Sequence, residues 1–202
     1  MVLMGKKIWD LCAPFYNLFM RSDRGAYEYM YELISNTVKD KIVLEIGCGT
    51  GSLARYVSPY TKSMVATDYS KGMLEVASRG LNPDNLRFEF ADAGLLPYPD
   101  ASYDIVIIAN ALHIMPEPIK ALSEVRRVLK TGGILIAPNF VNMSGGLKSN
   151  LWTSFLSLLG VSFEHKWSKD GYVSFIEENG WKIEYMEMVD TRILMLYLEC
   201  KH

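Results

Sequence analysis

An apolar, strand-like run, Val43-Leu44-Glu45-Ile46, passes without interruption into three alternating glycines, Gly47-Cys48-Gly49-Thr50-Gly51. Glycine has no Cβ to hold a neighbour away and tolerates positive φ, so backbone is being brought close to something at this point. The helix that the spacing predicts from Ser52 offers free N–H groups at its first turn. A plain strand-to-helix turn would use the same residues. A dinucleotide fingerprint, G-x-G-x-x-G, would require glycine at position 52, where Ser52 stands. Glu45, just ahead of the glycines, suits a ligand with a cationic amino group better than a pyrophosphate. Gly47, Gly49 and Gly51 therefore favour a nucleoside carrying a zwitterionic tail.

The rest of the chain places this turn at the start of an α/β fold. Short aliphatic runs at Ile42–Ile46, Ser63–Thr67, Leu86–Phe90, Ile105–Ala109 and Ile134–Pro138 alternate with helical spacing at Ser52–Ser58, Gly72–Arg79 and Ile119–Leu129. That rhythm predicts a parallel sheet covered on both faces. Pro- and Gly-containing stretches at Asn82-Pro83-Asp84, Pro97–Asp100, Pro116–Pro118 and Thr131-Gly132-Gly133 separate the elements as loops. A helix at Tyr172–Glu178 and two strand-like runs, Trp181–Met188 and Arg192–Cys200, follow; the short break between the runs predicts an antiparallel hairpin. The aromatic-rich first forty residues have helical spacing and suit helices laid across one sheet edge.

Two hundred and two residues, half of them hydrophobic, fit one domain. With 21 Lys plus Arg against 23 Asp plus Glu, there is no broad positive field for phosphate backbones, which speaks against nucleic acid as a partner. Cys12, Cys48 and Cys200 lie far apart without a C-x-x-C pair, so neither disulfides nor a metal site is expected, and a reducing, cytoplasmic setting fits. Met1–Lys7 runs into Trp9, Asp10 and Pro14 and does not read as a signal peptide. The longest apolar-rich piece, Leu151–Phe163, is too short and too interrupted by serine and threonine to span a membrane.

Two acids follow the glycine loop at strand ends. Asp68 closes the second strand, where a carboxylate can accept from both ribose hydroxyls, and Asp92 follows the third, placed for an adenine amine. The alternative for each is a helix cap or turn residue. Asp104 opens the fourth strand and reads as structural.

These residues carry a family resemblance. Val43–Gly51, then Asp68-Tyr69-Ser70-Lys71-Gly72-Met73-Leu74, Phe90-Ala91-Asp92-Ala93, Tyr98–Asp104 and Asn110-Ala111-Leu112-His113 resemble the class I S-adenosylmethionine-dependent methyltransferases over roughly residues 40 to 140. The resemblance implies a Rossmann-like, mostly parallel sheet of seven strands, order 3-2-1-4-5-7-6, strand 7 antiparallel, with helices on both faces. It implies S-adenosyl-L-methionine as cofactor and S-adenosyl-L-homocysteine as product. By position, the three glycines would pass under the methionine part, with Glu45 near its ammonium group, and Asp68 and Tyr69 would meet the nucleoside. Met73 would pack on adenine, Asp92 and Ala93 would meet its edge, and Asn110 to Leu112 would line the sulfonium region. Asp10–Asn17 is similar to the opening of the ubiquinone/menaquinone-biosynthesis branch, which places Tyr16 over the cofactor; Asn17 departs from that branch, which has Asp there.

The sequence is then read as one domain: a helical cap to residue 40, a cofactor-binding core over 41–138, an acceptor-pocket insertion over 139–170, and a closing helix and hairpin over 171–202. His113 is the side chain near the expected reaction centre whose pKa suits proton removal, although a hydrogen-bonded wall residue would look the same. His165 and His202 have weaker cases. Trp152, Phe155, Leu156, Leu159 and Phe163 could form an apolar acceptor pocket, a lipid-touching face, a core helix or a dimer contact. The expected partner is a small-molecule acceptor, with peripheral lipid contact but no membrane insertion, in a monomer or homodimer. Ser52 and the terminal hairpin disfavour an NAD(P)-dependent oxidoreductase; a cofactor-binding module without turnover stays open.

Overall fold

The computed structural model describes residues 9–14, 16, 23–141, 165–191 and 194–202. At its centre lies β1 (Ile42–Ile46), flanked by parallel β2 (Ser63–Asp68) and, on the other side, β4 (Tyr103–Ile107). The parallel run extends to β3 (Leu86–Phe90) beyond β2 and to β5 (Leu129–Ile136) beyond β4. Two antiparallel strands close the far side: β8 (Met195–Lys201) against β5, and β7 (Lys182–Val189) against β8. An eighth strand, β6 (Asn139–Phe140), also pairs with β8. It continues β5 in the same register, since Leu135 and Ile136 face Cys200 and Glu199 while Asn139 and Phe140 face Leu196 and Met195. Pro138, which has no N–H to give the ladder, marks the break between them. Taking β5 and β6 as one edge, the strand order is the expected one, with the last strand antiparallel.

Alternate strand residues point to opposite faces, and each face is covered by helices. Val43, Met64, Ile105 and Ile107 pack beneath α1 (Arg24–Thr37) and α2 (Ser52–Val57), which contribute Met30, Ile34, Leu53 and Val57. Leu44, Val106, Ile108 and Leu198 pack beneath α4 (Pro118–Val128) and α5 (Lys169–Glu178), through Leu122, Val125, Tyr172 and Ile176. The short α3 (Lys71–Ser78) follows β2 and is capped by Ser70, whose Oγ accepts the Met73 N–H at 3.1 Å.

Two expected boundaries move. β4 runs Tyr103–Ile107 and so ends before the expected Ala109; Asp104, near its start as read, accepts the Ile42 N–H and the Lys130 ammonium on its carboxylate, each at 2.8 Å, and so ties β1 to β5. β5 begins at Leu129, so Thr131-Gly132-Gly133 is an irregularity inside the strand instead of a loop before it, with Gly132 at φ +75° and the register shifted between Tyr103 and Ile105. Asn139 and Phe140, expected in an insertion, extend the sheet.

The turn from β1 into α2 demands glycine at its last position. Gly51 sits at φ +77°, and a Cβ there would stand 2.6 Å from the Phe88 ring. Gly51→Val is expected to destabilise the fold by about 3 kcal/mol or more, from backbone strain plus overpacking, read as a lowered urea midpoint at unchanged slope.

Candidate functional site

The glycine loop wraps the end of β2. Gly47 and Cys48 donate their N–H groups to the Thr67 carbonyl at 2.8 and 2.9 Å, and Gly49 donates to Asp68 Oδ2 at 2.8 Å. Packing accounts for Gly47 as it does for Gly51, because a Cβ at position 47 would lie 2.8 Å from Ala111 Cβ. Gly49 differs: the nearest atom to its missing Cβ is Tyr16 Cε1, 4.0 Å away. Arg55 braces the loop by donating to the Thr50 carbonyl at 2.9 Å while also holding Ala77 O and Asn82.

In front of this loop lies a cavity of about 300 Å³, bounded by α1, α2 and the end of β4. Glu45, Gly49, Asn110, Tyr16 and Tyr31 all line it. Glu45 is 2% exposed, and its Oε2 has no hydrogen-bond partner among the described residues. Burial, with Asp68 adding, pushes its carboxyl up to about 8. Asn110 holds a left-handed backbone, φ +50°, and its Oδ1 is a second buried acceptor without a donor. Its Nδ2 reaches Tyr27 Oη at 3.4 Å and Met195 Sδ at 3.2 Å. Burial and then Asp68 push the Tyr16 phenol up to about 12, and burial raises Tyr31 further, so both hydroxyls stay neutral. A buried carboxyl and an amide oxygen, both short of donors, match a cationic group with several N–H bonds.

Asp68, the last residue of β2, spends both oxygens on backbone: Oδ2 on Gly49 N–H and Oδ1 on Ser70 N–H, each at 2.8 Å. Burial raises its carboxyl, opposed by those bonds. Beyond it, Tyr69 and Phe90 are 38% and 44% exposed and stand 5.3 Å apart at the ends of β2 and β3. Phe90 was not singled out from the sequence as a site residue; it ends β3 exposed while Leu86 and Phe88 of the same strand pack into the core. Met73 is buried in the first turns of α3. Asp92 is exposed and accepts the Gly94 N–H at 2.8 Å, making a tight turn, with half-buried Ala93 inside it.

Leu112 and His113 turn away from the cavity. They begin a 3-10 turn, Leu112–Ile114, that carries Leu112, fully buried, into the core against α4 and away from the cavity lining. His113 is 3% exposed, with Nδ1 2.8 Å from Asn139 Oδ1 and its ring edge-on to Phe140. Burial, with His165 adding and Asn139 opposing, pushes it down to about 4. So weak a base, so enclosed, gives the proton-removal role no support in this geometry; His113 reads as a wall residue joining β4 to β6. His165 stacks on Trp167 at 5.0 Å, and His202 lies edge-on to Trp181. Trp152, Phe155, Leu156, Leu159 and Phe163 fall outside the described residues.

Residues 44–137 match the family described as a methyltransferase domain. The demethylmenaquinone methyltransferase of Clavibacter sepedonicus is 40% identical over 99 residues, covering 48% of this chain and 40% of that protein. Methyltransferase GfsG of Streptomyces halstedii is 31% identical over 173 residues, 81% of this chain and 60% of GfsG. The crystal structure of YcgJ from Bacillus subtilis superposes with a TM-score of 0.63 at 26% identity, over 80% of this chain and 72% of that one. The chain thus spans less than two thirds of the length of both curated relatives.

Proposed function

We propose that this chain, which belongs to the class I S-adenosylmethionine-dependent methyltransferases, binds S-adenosyl-L-methionine and transfers its methyl group to a small-molecule acceptor, releasing S-adenosyl-L-homocysteine. The observation that carries the reading is the unpartnered, buried oxygen of Glu45 in a cavity floored by glycine. An α-ammonium group satisfies it, and a pyrophosphate does not. Glu45 and Asn110 take the ammonium, Gly47 and Gly49 let the methionine tail pass close to backbone, and Asp68 meets the ribose hydroxyls with its remaining lone pairs. Tyr69 and Met73 flank the adenine, Asp92 and Ala93 meet its edge, and Tyr16 closes over the tail.

The cofactor supplies an activated methyl group on a sulfonium. The chain's own work is to align an acceptor lone pair with the carbon, so that a bond forms to the acceptor as the C–S electron pair returns to sulfur. Positioning of this kind is worth effective molarities of about 10⁵ M or more. The walls around Glu45 and Tyr31 exclude water from the cationic donor. A relative named for demethylmenaquinone supports an apolar acceptor. Among the described residues no helix is long and apolar enough to cross a membrane.

Calorimetry is expected to give micromolar binding of S-adenosylmethionine and S-adenosylhomocysteine and none of NADH. The absence of heat and of a thermal shift with both adenosyl compounds would sink the assignment. Methylation of an acceptor in a metabolite screen then separates an enzyme from a module that only holds the cofactor.

A further inference from the structure

The helical segment 9–14 is fastened to the front of α3 by one side chain. Asp10 Oδ1 accepts from Ser70 Oγ at 2.6 Å and from the Gly72 N–H at 2.8 Å. The approach is close enough to fix the residue beneath it, because a Cβ on Gly72 would stand 2.7 Å from Asp10 Cα and 2.9 Å from its carbonyl oxygen. Ser70 in turn caps α3 and donates its N–H to Asp68, so Asp10 joins the same cluster that holds the presumptive ribose carboxylate. Behind Asp10 the segment turns inward, with Cys12 and Ala13 buried at 9% and 2% exposure. At its other end Tyr16 stands across Gly49, and Trp9 meets the Tyr16 ring edge-on at 6.4 Å. Asp10 at the first turn of α3 and Tyr16 at the glycine loop therefore stand on either side of the end of β2.

A ligand that reaches from Asp68 to Glu45 has to lie beneath this pair. We propose that Asp10 is a positioning residue: it latches the segment onto α3, seats Tyr16 over the glycine loop, and makes residues 9–14 with Tyr16 a strap that lifts to admit cofactor and slows its escape once closed. The inference rests on the cofactor site proposed above. The physical reason is that a carboxylate accepting two donors at a helix N-terminus is a strong tether. Breaking the carboxylate's bonds leaves Ser70 free to cap α3, so the core is retained while the strap loosens.

The full-length chain tests this with two readouts, the rate at which Cys12 is labelled by a thiol reagent, assigned by peptide mass, and the dissociation rate of S-adenosylhomocysteine in stopped flow. Asp10→Ala is expected to speed both by about tenfold or more, with little loss in association rate. Gly72→Val, which pushes the strap off from the opposite side, is expected to do the same, while Asp10→Asn, which keeps an acceptor oxygen, should recover most of the natural behaviour. Unchanged Cys12 labelling in both Asp10→Ala and Gly72→Val overturns the latch. If the natural chain fails to bind S-adenosylhomocysteine, the cofactor reading falls, and Cys12 labelling still decides whether Asp10 holds the strap.

Discussion

Glu45→Gln is expected to bind S-adenosylhomocysteine about ten- to a hundredfold more weakly than the natural chain, since a hydrogen bond to a charged partner is worth roughly 1.5–3 kcal/mol, yet to be the more stable protein near pH 8. The two effects share a cause. Burial holds the Glu45 carboxyl up at about 8 in the folded protein, far above its ordinary value of 4.5. The folded chain then binds this proton more tightly than the unfolded chain, so between pH 4.5 and about 8 stability falls as pH rises; it is whole below pH 4.5 and lost through about 8. A shift of this size corresponds to a few kcal/mol, and the glutamine variant escapes it. Thermal melts of both proteins at pH 5 and pH 8 read the difference directly. For ligand binding the sign reverses: an ammonium needs the ionised carboxylate, so affinity should climb toward pH 8. Calorimetry at pH 6–7 in buffers of different ionisation enthalpy should show about one proton released on binding. A pH-independent affinity with no proton release would remove Glu45 from the site.

The central strands were legible because each holds a short aliphatic run buried on both faces, as Val43-Leu44 and Ile105-Val106-Ile107 show. Where a boundary was misread, a polar or flexible residue had a private structural reason to be in the strand. Gly132 lets β5 bulge instead of ending. Pro138 reads as a stop in sequence and is only a gap in a longer edge along β8. In the site, Glu45, Gly49 and Asp68 stand out in the sequence because they sit at strand ends, which sequence locates well. The direction in which Leu112 and His113 point is not legible, because a three-residue 3-10 turn has no periodicity to reveal which way its side chains rotate. The docking of Asp10 on Gly72 was equally invisible: the two positions are 62 residues apart, and only the folded chain brings them together.

At Asp68 the apparently mild change should be a severe one. Both carboxylate oxygens already accept backbone N–H groups, from Gly49 and from Ser70, each at 2.8 Å. Asparagine can serve one of these donors, but its amide nitrogen must then face the other, so Asp68→Asn sets N–H against N–H inside a loop that carries the cavity floor. Asp68→Ala leaves both donors unmet but adds no repulsion. We therefore expect both variants to lose about a hundredfold or more in affinity for S-adenosylhomocysteine, with Asp68→Asn no better than Asp68→Ala. A ligand comparison isolates the ribose contact from damage to the loop. The natural chain should bind methylthioadenosine about tenfold or more tightly than its 2′,3′-dideoxy analogue, and that preference should vanish in Asp68→Ala. If the preference survives in Asp68→Ala, the ribose is held elsewhere, and Asp68 serves only to fold the glycine loop around the end of β2.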